Sequence, residues 1–130
     1  MKFTLVILGA PYSSAASFSA WRFCRAALEN NQQITRLFFY ADGVHNTTAL
    51  AAPPQDEIDL PAQWSTLIRE HNLDAVVCIA AALRRGVLDE AERDRYRKQA
   101  ANLGAEFSLS GLGQLIEATA HSDRTITFGH

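Results

Sequence analysis

A chain of 130 residues, 48% hydrophobic and 20% charged, has the make-up of an ordinary globular domain and is long enough to bury its own core. Its net charge of −2 supplies no basic footprint, which argues against direct nucleic-acid binding, because phosphate neutralisation needs clustered Lys and Arg. Two cysteines, Cys24 and Cys78, are too few for a disulfide framework, and no apolar run approaches the ~18 residues of a membrane-crossing helix.

One domain over residues 1–130 is expected. Residues 3–8 form a continuous apolar run closed by Gly9-Ala10-Pro11, the pattern of a buried parallel strand entering a loop. The same stretch has some look of a signal peptide. It is short, its basic region is one Lys, and cleavage would remove a core strand, so a cytoplasmic chain is expected. Residues 13–31 put Phe18, Trp21, Cys24, Ala27 and Leu28 at three- and four-residue spacing, which predicts an amphipathic helix with a serine as N-cap. Residues 34–40 are rich in β-formers and predict a second strand.

Residues 41–61 are long and irregular, with Asp42-Gly43, Asn46-Thr47-Thr48, Pro53-Pro54 and the acidic stretch Asp56-Glu57-Ile58-Asp59. A short helix near 44–51 is expected there, in a loop long enough to suggest function or an interaction surface. Residues 60–71 predict a helix with Trp64, Leu67 and Ile68 inward, and residues 74–80 a third, buried strand. A helix follows near 81–85, then another from Asp89 as cap to about residue 103, ended by Gly104. Residues 105–109 predict a short fourth strand, 110–120 a helix, and 124–128 a last strand at an edge. This alternation predicts an α/β fold, with a mostly parallel sheet of about five strands between two helix layers. In such folds sites lie outside the carboxyl ends of the strands, where the 9–12 loop, Ala41-Asp42-Gly43 and Cys78 fall.

Cys78 is the principal candidate. It ends the run Ala75-Val76-Val77-Cys78 and is followed by small residues that predict a helix start. A thiol facing the positive end of a helix is favoured as thiolate, the nucleophilic form. The competing reading is a small hydrophobe in a core strand, which spacing alone favours. Arg84 and Arg85 would lie on the following helix, either adding positive potential or forming a solvated face. Cys24 lies on an apolar stripe and reads as core. Residues 9–14 and 110–113 read as helix entries rather than phosphate cradles, since neither carries a GxGxxG or P-loop pattern. Asp56, Glu57 and Asp59 read as a solvated acidic loop. His45, His71, His121 and His130 are scattered and no CxxC or HExxH occurs, so no metal and no cofactor is expected.

The segment Cys78-Ile79-Ala80-Ala81-Ala82-Leu83-Arg84-Arg85-Gly86-Val87 resembles the cysteine segment of the TusD branch of the DsrE family of sulfur-relay proteins. Phe38-Phe39-Tyr40 with Asp42-Gly43-Val44 and Asn46, Asp56 to Leu60, Leu109 to Gly113 with Glu117-Ala118, and Asp123-Arg124 are similar to that family in the same order. The first loop departs from the family's Gly-Pro-Ala-Tyr-Gly form and is assigned no role. The resemblance implies a DsrE-like fold and a cytoplasmic sulfurtransferase with Cys78 as its catalytic residue. That cysteine would take a sulfane sulfur as a persulfide and relay it toward 2-thiolation of the tRNA wobble uridine. The implied partners are TusB-like and TusC-like subunits in a heterohexamer, a TusA-like donor and a TusE-like acceptor, with no direct contact to nucleic acid or membrane. Two further readings stand beside it: a DsrE-like sulfur carrier in dissimilatory sulfur oxidation, and a non-catalytic structural subunit whose Cys78 is buried.

Overall fold

A computed structural model of the chain describes residues 1–129. The elements run β1 (Lys2–Ile7), α1 (Ala16–Glu29), β2 (Gln33–Phe39), a 3₁₀ segment (Ala41–Thr47), α2 (Leu60–His71), β3 (Ala75–Cys78), α3 (Ile79–Arg84), α4 (Glu90–Tyr96), β4 (Ser108–Ser110), α5 (Gly113–Ala120) and β5 (Arg124–Phe128). One five-stranded sheet has the order β4-β3-β2-β1-β5, with every neighbouring pair parallel. This is the expected α/β architecture, with helices on both sides of the sheet.

The strand order explains the layers. From β1 to β4 each strand is added on the same side of the last, so right-handed crossovers put the first helices on one face. The connection from β4 back to β5 crosses the sheet in the other direction and lays α5 on the opposite face. Side chains agree with that division. Phe39 meets Trp64 of α2 edge-on, with ring centroids 5.3 Å apart. On the other face, Thr4 Oγ1 donates to the carbonyl of Ala118 in α5 at 3.2 Å, and Arg36 Nη1 donates to the carbonyl of Gln114 at 2.8 Å. Arg36 also pairs with Asp74 at 2.7 Å, so a cation on a sheet face is held by α5 and the start of β3 rather than left in apolar surroundings.

The core gathers Leu5, Ile7, Leu37, Phe39, Trp64, Leu67 and Val77 between the sheet and α1 and α2. The predicted inward residues of α2, Trp64, Leu67 and Ile68, are all buried. Asp59 caps that helix by accepting from the Ala62 backbone N–H at 3.1 Å, and Asn72 ends it in a left-handed conformation. Residues 3–7 belong to the second-innermost position of the sheet, paired on both sides, as a strand reading of that segment requires. Among the described residues no helix is long and apolar enough to cross a membrane.

Several boundaries differ from expectation. Helix α1 begins at Ala16 after Ala15, with no side-chain cap; Ser14 Oγ instead accepts from the Ala16 backbone N–H at 3.3 Å. The 41–61 region opens with a 3₁₀ segment over Ala41–Thr47 rather than a helix over 44–51. Helix α4 stops at Tyr96, not near residue 103, because Arg97 turns left-handed and the chain folds back onto the 86–88 loop. Asn102 makes that return possible. Its Oδ1 accepts from Leu88 N at 2.9 Å, and its Nδ2 donates to Gly86 O and Thr48 Oγ1. Phe107 is then inserted against Phe39 at 5.4 Å, which delays β4 to Ser108–Ser110.

Candidate functional site

The carboxyl edge of the sheet brings together the 9–12 loop after β1, the 3₁₀ segment after β2, Cys78 at the end of β3, and Ser110 at the end of β4. The four lie far apart in sequence. Their convergence follows from parallel strands, which all deliver their carboxyl ends to one side.

A buried polar network fixes this edge. Asn46 Nδ2 donates to the carbonyls of Gly9, at 3.0 Å, and Gly43, at 2.9 Å. Ser17 Oγ of α1 donates to Asn46 Oδ1 and accepts from Trp64 Nε1 of α2 at 3.2 Å. Three elements and two loop carbonyls are thus joined with every donor satisfied, the condition under which buried polarity rigidifies rather than destabilises. Gly43 presses on the end of β1: a methyl group there would lie 1.9 Å from the carbonyl oxygen of Ile7. Tyr12, at φ 71°, turns the first loop outward, and its hydroxyl donates to Ile58 O at 2.9 Å and accepts from Leu60 N at 3.1 Å. The first loop is therefore a structural clamp on the 58–60 segment. An open cleft of about 290 Å³ between the first loop and the 3₁₀ segment is lined by Ala10, Ser13, Ser14, Asp42 and His45.

Cys78 is the last residue of β3 and the N-cap of α3, with extended backbone (φ −61°, ψ 117°). The strand therefore ends two residues earlier than the sequence pattern indicated, and the helix follows without an intervening loop. Cys78 pairs in register with Ser110 of β4. Val76, two residues earlier, pairs with Phe38, so alternation puts Cys78 on the α5 face of the sheet. It is 4% exposed and is not in a disulfide. The small residues Ala80, Ala81 and Ala82 follow it, as the sequence indicated, with Ala81 and Ala82 buried.

Cys24 differs. It lies in the middle of α1, is fully buried in the core, and burial pushes its thiol pKa up to about 12. This agrees with its assignment to the core. Arg84 is exposed, whereas the Arg85 side chain is part-exposed and has partners. Its Nε lies 2.9 Å from Asp42 Oδ1 of the 3₁₀ segment, and its Nη1 donates to the carbonyl of Ala81 at 3.2 Å. Of the acidic stretch, Asp59 is a helix cap, while Asp56 and Glu57 are exposed, as a solvated loop requires. Among the described residues no group of three or more His, Cys, Asp or Glu side chains could hold a metal ion.

The Asn46–Ser17–Trp64 network and the Arg85–Asp42 pair were not legible in the sequence. Asn46 stood out only as part of a polar run, and its distant partners are Ser17 of α1, 29 residues away, and the Gly9 carbonyl of the first loop, 37 residues away.

Comparison with known proteins follows the same lines. A profile described as the DsrE/DsrF-like family matches residues 1–128. A protein of Pseudomonas aeruginosa named sulfurtransferase TusD homolog is 54% identical over 129 residues, covering 99% of this chain and 98% of the relative. A protein of Allochromatium vinosum, provisionally named sulfurtransferase DsrE, is 50% identical over 129 residues, covering 99% of each. Sulfurtransferase TusD of Klebsiella pneumoniae is 42% identical over 128 residues, covering 98% of this chain and all of the relative. Among solved structures, the ychN protein of E. coli superposes with a TM-score of 0.76 over 98% of this chain and 99% of that one, at 24% identity. That likeness concerns the fold.

Proposed function

Because the chain belongs to the DsrE/DsrF-like family, we propose that it takes up a sulfane sulfur as a persulfide on Cys78 and hands it to a downstream carrier. Relatives along its whole length are named sulfurtransferases, and sulfur transfer is the activity of this chain. The relay is read as the one that ends in 2-thiolation of the tRNA wobble uridine, in the cytoplasm. There the chain would work with TusB-like and TusC-like subunits in a heterohexamer, between a TusA-like donor and a TusE-like acceptor.

The observation that supports this reading is the place of Cys78: a free thiol at the carboxyl edge of the sheet, where the chain leaves β3 for α3. The chemistry is an exchange between sulfur atoms. The Cys78 thiolate attacks the outer sulfur of a donor persulfide. The new S–S bond forms as the donor's own S–S bond breaks, and the donor leaves as a thiolate. Delivery repeats the exchange, with an acceptor thiolate attacking the outer sulfur and Cys78 leaving. No net oxidation occurs, and neither step calls for a metal or an organic cofactor. A thiol that is 4% exposed must be uncovered for either attack, so transfer is coupled to a local opening or to the docking of a partner.

The test is incubation with a persulfide donor followed by mass spectrometry of the intact chain. One added sulfur atom is expected, lost in Cys78→Ser and retained in Cys24→Ser. The reverse pattern would overturn the site.

The 50% identity to the DsrE protein of Allochromatium vinosum favours a second reading, in which the same Cys78 chemistry serves dissimilatory sulfur oxidation. Sulfite-reductase genes beside this one would support it. The near-complete burial of Cys78 favours a third, a structural subunit without transfer activity. Native-state thiol titration decides that case: a Cys78 that reacts only on unfolding ends the transfer reading.

A further inference from the structure

A transfer thiol carries negative charge twice, first as the attacking thiolate and then as the thiolate that leaves. At 4% exposure Cys78 receives little of that stabilisation from water. The groups beside it must supply the rest, and strand register names one of them. Strands β3 and β4 are parallel, with Val76 opposite Ser108 and Cys78 opposite Ser110. Opposed residues on neighbouring parallel strands project from the same face, on backbones about 4.8 Å apart. Ser110 therefore stands beside Cys78 on the α5 face. Its Oγ and the Cys78 Sγ are both one bond beyond Cβ, so they rise to a similar height above the sheet. Ser110 is part-exposed, and among the described residues its hydroxyl has no hydrogen-bond partner. Its proton is uncommitted. The other nearby groups are engaged or of the wrong reach. On β2, Phe38 lies opposite Val76, and Tyr40 continues in extended backbone with its ring 6.1 Å from that of Phe38, so its hydroxyl sits a whole ring beyond the γ level. Arg36 is bonded to Asp74 and to the Gln114 carbonyl, with Glu117 of α5 3.8 Å away. At the end of α3, Arg85 pairs with Asp42 and Arg84 is exposed.

We propose that Ser110 is a further catalytic residue: its hydroxyl donates a hydrogen bond to the Cys78 sulfur when that sulfur is anionic. This deepens the transfer reading and rests on it. A neutral thiol is a weak acceptor and a thiolate a strong one, so the bond gains most of its strength with the charge. That difference favours the thiolate before attack, and favours the same thiolate as leaving group on delivery. Rotation of Ser110 about χ1 aims the hydroxyl at the sulfur. The serine keeps its proton throughout, and none of its covalent bonds is made or broken.

The experiment is alkylation of the native full chain across a range of pH, reading Cys78 and Cys24 separately by peptide mass spectrometry. Ser110→Ala should slow Cys78 about three- to tenfold at neutral pH, less than the full worth of a hydrogen bond to a charged group because water replaces part of it. The rate at high pH should be unchanged, so the midpoint of the profile moves up. Ser110→Thr, which restores the hydroxyl, should recover the wild-type midpoint. Cys24, fully buried in the core, reports global unfolding in the same sample, and its rate should not move. A Cys78 rate unaltered in Ser110→Ala, a fall that is equal at every pH, or the same loss in Ser110→Thr overturns the proposal. So does a Cys78 that is alkylated only when Cys24 is. If wild type takes up no sulfur from a persulfide donor, the acceptor reading fails, while the alkylation profiles still decide whether Ser110 bonds the thiolate.

Discussion

The two cysteines are almost equally hidden, Cys24 fully and Cys78 at 4% exposure, yet they stand in opposite relations to the chain around them. Cys24 sits mid-helix on α1, which packs against β1, β2 and α2, so exposing it means lifting a 14-residue helix off the sheet. Cys78 sits at a strand end, paired with Ser110 of the three-residue edge strand β4, so its surroundings are short elements at the rim of the sheet. Burial in the static structure does not separate an inert thiol from a transfer thiol. The size of the unit that must open does.

The comparison can be broken from several directions. The largest effect is expected from Trp64→Ala. It removes a fully buried ring, its edge contact with Phe39 and its bond to Ser17, at a cost of about 3–5 kcal/mol in chemical denaturation. Both cysteines should then label faster by a similar factor, since the loss is global; persistent protection of Cys24 alone would mean that α1 and α2 do not share one core.

Gly43→Ala comes next. Its methyl group would meet the Ile7 carbonyl at 1.9 Å, and relief requires the 3₁₀ segment to move, at about 3 kcal/mol. Here Cys78 should gain reactivity more than Cys24, because the damage lies at the carboxyl edge. Asn46→Ala leaves the Gly9 and Gly43 carbonyls without their donor and should cost about 1–3 kcal/mol, again with Cys78 affected first. Equal exposure of the two cysteines in both variants would show that the edge and the core open together.

The smallest effect sharpens the Cys24 side. Its folded pKa is raised from an ordinary 9.0 to about 12, so the stabilising preference for the neutral thiol is fully present below pH 9.0. It is lost as pH rises from 9.0 toward about 12. The slope from this one group is at most about 1.4 kcal/mol per pH unit. Above pH 9.0 denaturation midpoints should fall more steeply in wild type than in Cys24→Ala, while below it the two run parallel; identical slopes above pH 9.0 would mean that Cys24 is hydrated.

Much of this was legible without coordinates. The continuous apolar runs of β1 and β3 announced strands buried on both faces, and the stripe through Trp64, Leu67 and Ile68 announced α2, because periodicity is a local property. The same local logic failed between residues 97 and 107. There Asn102 makes long-range bonds to Leu88, Gly86 and Thr48 that outweigh a helical pattern, and Phe107 is drawn into the core before β4 can start. It failed again at Arg85, read as a source of positive potential or, more readily, a solvated face, whereas it pairs with Asp42 43 residues away.

By itself the sequence determined the order and alternation of strands and helices, though not every boundary, that Cys78 would lie at a strand end, and that Cys24 would point inward. Those follow from spacing and burial preference along one stretch of chain. Only the tertiary structure decided the strand order, the face on which Cys78 lies, the polar network that seats the 3₁₀ segment, and the ion pair that ties α3 to it. Each of these depends on groups brought together from distant positions, and a hydrogen bond or ion pair across 29 or 43 residues leaves no periodic mark on either segment.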